Sequence, residues 1–196
     1  MASWIADRIT QMLVTSSLIE EGDRELYIYG FFMLISHIYF FFVTAVTGFL
    51  MGIPVESVVF YVVFMLLRTY AGGVHAKTEI ACSVLTTLAL IASLIGIKQL
   101  EALGSSSISL LMLGAGSLCV LLFSPLDTKE KPLDEQEKRK YRAICMAILF
   151  LCIMAAAIAQ LLSIHGIFST IVCSVFLEGI LLTTGKMSYM NTKKLA

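Results

Sequence analysis

The chain has 196 residues, 58% of them hydrophobic and 14% charged, with a net charge of zero and a mean hydropathy of +0.89. Soluble domains usually carry about a quarter charged residues, so this composition excludes an ordinary water-soluble enzyme. What remains is an all-α polytopic membrane protein. A single membrane domain over residues 1–196 is expected: an interfacial helix at 1–25, a transmembrane bundle at 26–184 and a tail at 185–196.

In chain order, residues 1–25 are too polar to span. Trp4, Ile5, Ile9, Met12 and Leu13 recur at helical spacing with Asp7, Arg8, Thr10 and Gln11 between them. That pattern suits an amphipathic helix lying in the membrane interface, or equally a cap packed on the bundle. The charges of this region, Asp7 to Glu25, interrupt any apolar core of a cleavable leader, so none is expected.

A spanning helix needs roughly 17–25 mostly apolar residues. Six runs approach that: Leu26–Met51, Val55–Leu67, Ile80–Ile97, Ile108–Ser124, Ala143–Ser163 and Ile167–Thr184. The second is short and starts after Pro54; it admits three readings, a tilted helix, one extended through Tyr70 or a partly re-entrant segment. With both termini inside, every basic residue except Lys98 falls in an inside segment, so this orientation is preferred over its inverse. It places the segments after the second, fourth and sixth runs in the cytoplasm. The polar loop 125–142 is then cytoplasmic, and its second half, Leu133–Arg142, reads as a helical extension of the fifth run, with Asp134/Lys138 and Glu135/Arg139 as i,i+4 pairs.

The segment from Arg68 to Cys82 concentrates Arg68, His75, Lys77, Glu79 and Cys82 around Gly72-Gly73, between two apolar runs. Ionisable groups near a bilayer are costly and point to function. His75 and Cys82 admit three readings. They are a pair with no joint role, or part of a metal site, or the base and nucleophile of a cysteine peptidase. The metal reading is weak, because neither a CxxC nor an HExxH spacing is present. For the peptidase reading, one continuous helix would separate the two side chains by roughly 10 Å along its axis. They can meet only if the chain breaks between them, which Gly72-Gly73 permits. Cys82 would then lie in the first turns of the third span, where the helix N-terminus favours a thiolate. Lys77 adds to that field and Glu79 opposes it. Glu178, in the last run, is free to pair with Arg68, orient His75 or reach out to water. His37 reads as a core residue and His165 as part of a short outside turn. The other four of the five cysteines lie in apolar runs, as small hydrophobes do.

Arg68, Gly73, His75 and Cys82, in Arg-Thr-Tyr-Ala-Gly-Gly-Val-His-Ala-Lys, resemble the motif of the accessory gene regulator B family. Ser124 to Leu133 is similar to the proline- and lysine-bearing loop of that family. The resemblance implies a membrane cysteine endopeptidase of the bacterial cell membrane, acting in quorum sensing from the cytoplasmic side. It removes the acidic C-terminal tail of a short amphipathic propeptide, holds the rest as a thioester on Cys82, and releases it as a thiolactone or lactone. His75 is implied as base and acid. Arg68, Gly72 and Gly73 are supporting positions, and Lys77, Asp127, Lys129 and Lys131 candidate substrate-binding residues. Glu79 and Glu178, with Asp127, are candidates for a third catalytic residue. A homodimer in the lipid bilayer is implied, with no cofactor, no metal and no nucleic-acid partner. The rival from another class is a small transporter or channel component with an ion path through Glu56, Arg68, His75 and Glu178.

Overall fold

The computed structural model describes residues 2–73, 78–104, 106–126 and 134–194. Its regular elements are α1 (Ala2–Thr15), a 3-10 turn (Glu21–Asp23), α2 (Arg24–Leu50), α3 (Pro54–Ala71), α4 (Glu79–Leu103), α5 (Ser106–Phe123), α6 (Glu135–Leu161) and α7 (His165–Lys194). No strand occurs among the described residues. Each of the six expected apolar runs is therefore helical. Among the described residues, five helices, beginning at Glu21, Pro54, Glu79, Glu135 and His165, are long and apolar enough to cross a membrane, and a shorter apolar helix covers Ser107–Phe123 of α5. The marginal second run gains its length at its C-terminal end, where α3 continues through Tyr70 to Ala71. Pro54 opens it at a position that needs no N–H.

By its contacts the chain divides into two compact units, Met1–Val43 and Thr44–Ala196, with the boundary inside α2. In the first unit, α1 is amphipathic as expected, but its buried positions are the small residues Ala6 and Thr10, and the Thr10 hydroxyl donates to the Ala6 carbonyl at 2.9 Å. Trp4 and Met12 stand exposed, with the Arg8 guanidinium over the Trp4 ring. Arg24, the first residue of α2, donates to the Asp7 carboxylate at 2.6 Å and so ties the two helices of this unit together.

The second unit is organised around α7, which packs against α3, α4, α5 and α6, while α3 also packs against α6. Two thirds of its spanning window is buried (67%), against 17–33% for α3, α4 and α6. Small residues make this possible. A methyl group on Gly116 would lie 2.8 Å from Phe176 Cα, and one on Gly179 would lie 2.9 Å from Gly116 Cα. In a lipid environment, where burial of apolar surface drives helix association little, such backbone contact is the main source of packing energy.

Contacts between helix termini define the two ends of the unit. At one end the Gly48 backbone meets the Ser57 side chain, Lys98 donates to the Met51 carbonyl at 2.8 Å, and the Glu56 and Glu101 carboxylates flank Gly166. Lys98, the basic residue apart from the others, thus sits where the C-terminal partial charge of α2 draws a cation. At the other end the C-terminus of α3 meets the residues that follow α5, and these meet Cys145 of α6. Helix α6 begins at Glu135, two residues later than expected, because Asp134 forms a capping box with Glu137. Glu135 takes Lys138 at 3.2 Å.

Candidate functional site

Helix α3 stops because Gly72 (φ +81) and Gly73 (φ +143) turn into backbone conformations that side chains disfavour. The last helical bond runs from the Gly72 N–H to the Arg68 carbonyl, at 3.1 Å. The Gly72 carbonyl, released from the helical ladder, accepts from Arg68 Nη1 at 2.8 Å. Arg68 therefore folds back along its own helix and fills the space beside Gly73: a Cβ added there would run into the guanidinium. A Cβ on Gly72 would lie 2.9 Å from the Leu126 carbonyl oxygen. The glycine pair is a place of close approach as well as a break.

The second clamp on this turn comes from beyond α5. The Leu126 N–H donates to the Ala71 carbonyl at 2.8 Å, and the Leu126 side chain is buried. Two residues earlier, buried Ser124 donates its hydroxyl to the Cys145 sulfur of α6 at 3.4 Å. The end of α3 is thus held from within by Arg68 and from outside by the chain at 124–126.

Glu178 of α7 is fully buried, and neither of its carboxylate oxygens has a hydrogen-bond partner among the described residues. It does not reach out to water, which removes one of the three roles open to it from sequence. Its electrostatic neighbours are Arg68 of α3 and Cys145 of α6. Ser124, Leu126 and Cys145 were not singled out as site residues from sequence. Leu126 acts through its backbone and Cys145 sits within an apolar run, so neither carries a pattern that would mark it.

Cys82 lies in the first turn of α4. Thr78, extended at φ −129, ψ 147, is the N-cap: its hydroxyl accepts from the Ala81 N–H at 3.2 Å, and its carbonyl accepts from the Cys82 N–H at 3.0 Å. The first-turn N–H groups and the helix dipole favour negative charge at this point. Cys82 and Glu79 are both half-buried. The helix that carries Cys82 thus begins after His75 in the chain, as the peptidase geometry requires. His75 itself lies outside the described residues, as do Lys77, Asp127, Lys129 and Lys131. Among the described residues, no group of three or more His, Cys, Asp or Glu side chains is arranged to hold a metal ion.

These features define an α-helical polytopic membrane protein in which Arg68 and the residues that follow α5 hold the end of α3. The family model for accessory gene regulator B matches residues 6–182, and the chain belongs to that family. It is 27% identical over 135 residues to an AgrB-like protein of Clostridium perfringens strain SM101, covering 65% of this chain and 62% of the relative. A second AgrB-like protein, from Clostridium perfringens strain 13, matches to the same extent. The accessory gene regulator protein B of Staphylococcus saprophyticus is 28% identical over 97 residues, which cover 47% of this chain and 49% of that protein. The chain thus spans less than two thirds of the length of the curated relatives it matches. No solved structure matches.

Proposed function

We propose that this protein is a membrane cysteine endopeptidase that matures a quorum-sensing peptide, with Cys82 as nucleophile and His75 as general base and acid. The observation that carries this is the position of Cys82 in the first turn of α4, capped by Thr78, directly after the glycine break that ends α3. The helix N-terminus lowers the cost of a thiolate there, and a thiolate is the attacking species.

In this mechanism His75 takes the Cys82 proton and the sulfur attacks a carbonyl carbon of the propeptide. The C–N bond breaks, the acidic C-terminal tail leaves as an amine protonated by His75, and the remainder stays on Cys82 as a thioester. A Cys or Ser within that same peptide then attacks the thioester. The C–S bond breaks, a thiolactone or lactone forms, and Cys82 recovers its proton. Ring closure needs no further energy source if water is kept out, and tethering the attacking group raises its effective concentration. Lys77, Lys129 and Lys131, with Asp127, would engage the polar tail from the cytoplasmic side. The enzyme would act as a homodimer with both termini in the cytoplasm.

The transporter alternative is disfavoured by the separation of its charged groups. Glu56 stands beside Gly166 and Glu101, whereas Arg68 lies twelve residues further along the same helix, about 18 Å away. The direct test is reconstitution with an acidic-tailed precursor. A covalent adduct on Cys82, with mass equal to the precursor minus its tail, is expected. Intact cleavage by Cys82→Ala would overturn the assignment.

A further inference from the structure

The tripeptide Ser124-Pro125-Leu126 ends α5 and turns the next backbone donor onto another helix. The Ser124 N–H still bonds to the Val120 carbonyl at 3.1 Å, as it would within a helix. Pro125 has no N–H, so the ladder of α5 stops there. The Leu126 N–H, next in the chain, bonds to the Ala71 carbonyl of α3 at 2.8 Å. That carbonyl is among the last of α3, which lack acceptor partners within their own helix. The Leu126 carbonyl oxygen lies so close to Gly72 that a Cβ there would stand 2.9 Å from it. Leu126 thus grips the end of α3 at two consecutive residues. What fixes Leu126 is the residue two places back: buried Ser124 donates its hydroxyl to Sγ of buried Cys145 in α6, at 3.4 Å. The Tyr70 and Tyr141 rings, edge to face at 5.6 Å, join the same two helices. The last turn of α3 is therefore braced on α6, whereas Cys82 rides on α4, which packs against α7.

We propose that Ser124 is a positioning residue: its bond to Cys145 holds Leu126 against Ala71 and Gly72, which fixes the exit of the chain from α3 toward His75. The purpose of this brace rests on the peptidase reading; the brace itself does not. Ser124 touches neither substrate nor reacting atoms in this scheme and acts through Leu126. The requirement is one of distance. A base serves its nucleophile only within hydrogen-bond reach, and a misplacement of about 1 Å costs up to about a hundredfold in rate. Gly73 and His75 are two residues apart, so the direction in which the chain leaves this turn bears directly on the imidazole. Serine suits position 124 because it is small enough to be buried and still donates; an alanine there would leave the Cys145 sulfur without that donor.

The test uses the full chain in lipid nanodiscs and reads precursor turnover, melting temperature and amide exchange at Leu126, whose N–H bonds to the Ala71 carbonyl. A fourth readout is the rate at which iodoacetamide alkylates Cys82, located by mass spectrometry. For Ser124→Ala we expect kcat to fall at least about fivefold with KM within about twofold. Leu126 exchange should quicken while the melting temperature changes little. Alkylation of Cys82 should slow toward the rate seen in His75→Ala, because a thiol without its imidazole partner yields less thiolate. The sign of that effect separates positioning from loosening, since a merely loosened fold exposes Cys82 and speeds its alkylation. Cys145→Ala should reproduce the loss, and Cys145→Ser, which keeps an acceptor, should retain most of the turnover. The double variant Ser124→Ala/Cys145→Ala should lose no more than either single. If Ser124→Ala does not insert, Cys145→Ala is read in the same way. Losses that multiply in the double variant overturn the proposal, as does Cys82 alkylation that His75→Ala slows but Ser124→Ala leaves unchanged or quickens. If His75→Ala alkylates as fast as the wild type while Ser124→Ala still quickens Leu126 exchange, the brace stands and the peptidase reading fails.

Discussion

The guanidinium of Arg68 bonds to the Gly72 carbonyl at 2.8 Å and occupies the volume that a side chain at residue 73 would need. An arginine and a glycine pair that look like separate polar and flexible elements are thus one mechanical unit. The arginine closes the helix, and the glycines leave room for it to do so.

Gly73→Ala tests that unit most directly. At φ +143 an alanine is strained whatever surrounds it, and its Cβ displaces Arg68 as well. The local cost is about 1–3 kcal/mol. We expect near-normal insertion, because the strain is confined to one turn, together with a loss of precursor processing of about tenfold or more. Normal processing in reconstituted membranes would show that the turn can form without the Arg68 clamp.

Cys82→Ala is expected to lower processing by about a thousandfold or more while leaving the helical circular dichroism of the protein unchanged. Cys82→Ser keeps a nucleophile of much weaker acidity and should trap or slow the first step. His75→Ala should match the alanine variant at Cys82, and the double variant should lose little more than either, since a base and its nucleophile act as one unit.

Gly116→Leu addresses the scaffold. A side chain there meets the Phe176 backbone at 2.8 Å, with no flexible group to yield. Overpacking of this kind costs about 1–3 kcal/mol. Thermal unfolding in detergent should shift downward.

Asp134→Ala removes the capping box at the start of α6, where the Asp134 carboxylate accepts from the N–H groups of Gln136 and Glu137 at 2.8 and 2.7 Å. The exposed cap is worth about 0.5–2 kcal/mol. Amide exchange at residues 135–138 should quicken while that of Leu149 and Cys152, deep in the same helix, does not change. Uniform quickening along α6 would mean that the cap supports the whole span.

Composition and the length of the apolar runs were enough to establish an α-helical membrane protein with six apolar helices. A bilayer leaves a chain of this hydropathy few alternatives, since each backbone polar group must be satisfied within its own helix. The position of Cys82 in the first turns of α4 was also legible, because the third apolar run begins at Ile80 and a glycine pair breaks the chain before it. The Pro54 start of α3 was visible for the same reason. Its end at Ala71 was one of several readings left open, because the hydrophobic run stops at Leu67 and the final turn is held by Arg68 and Leu126 rather than by apolar packing.

Only the tertiary structure decided the company that these residues keep. Sequence left Glu178 free to pair, to orient His75 or to reach out to water; its complete burial in α7 removed the last of these. The contact between Glu56 of α3 and Gly166 of α7 at the far end of the bundle is one that no local pattern reveals. The close crossing of α5 and α7 and the bond from Leu126 to Ala71 likewise join residues far apart in the chain. Helix formation is a property of neighbours in sequence, so it can be read there. The site is set by which helix faces meet and at what register, and that is fixed only when α7 is packed among its partners.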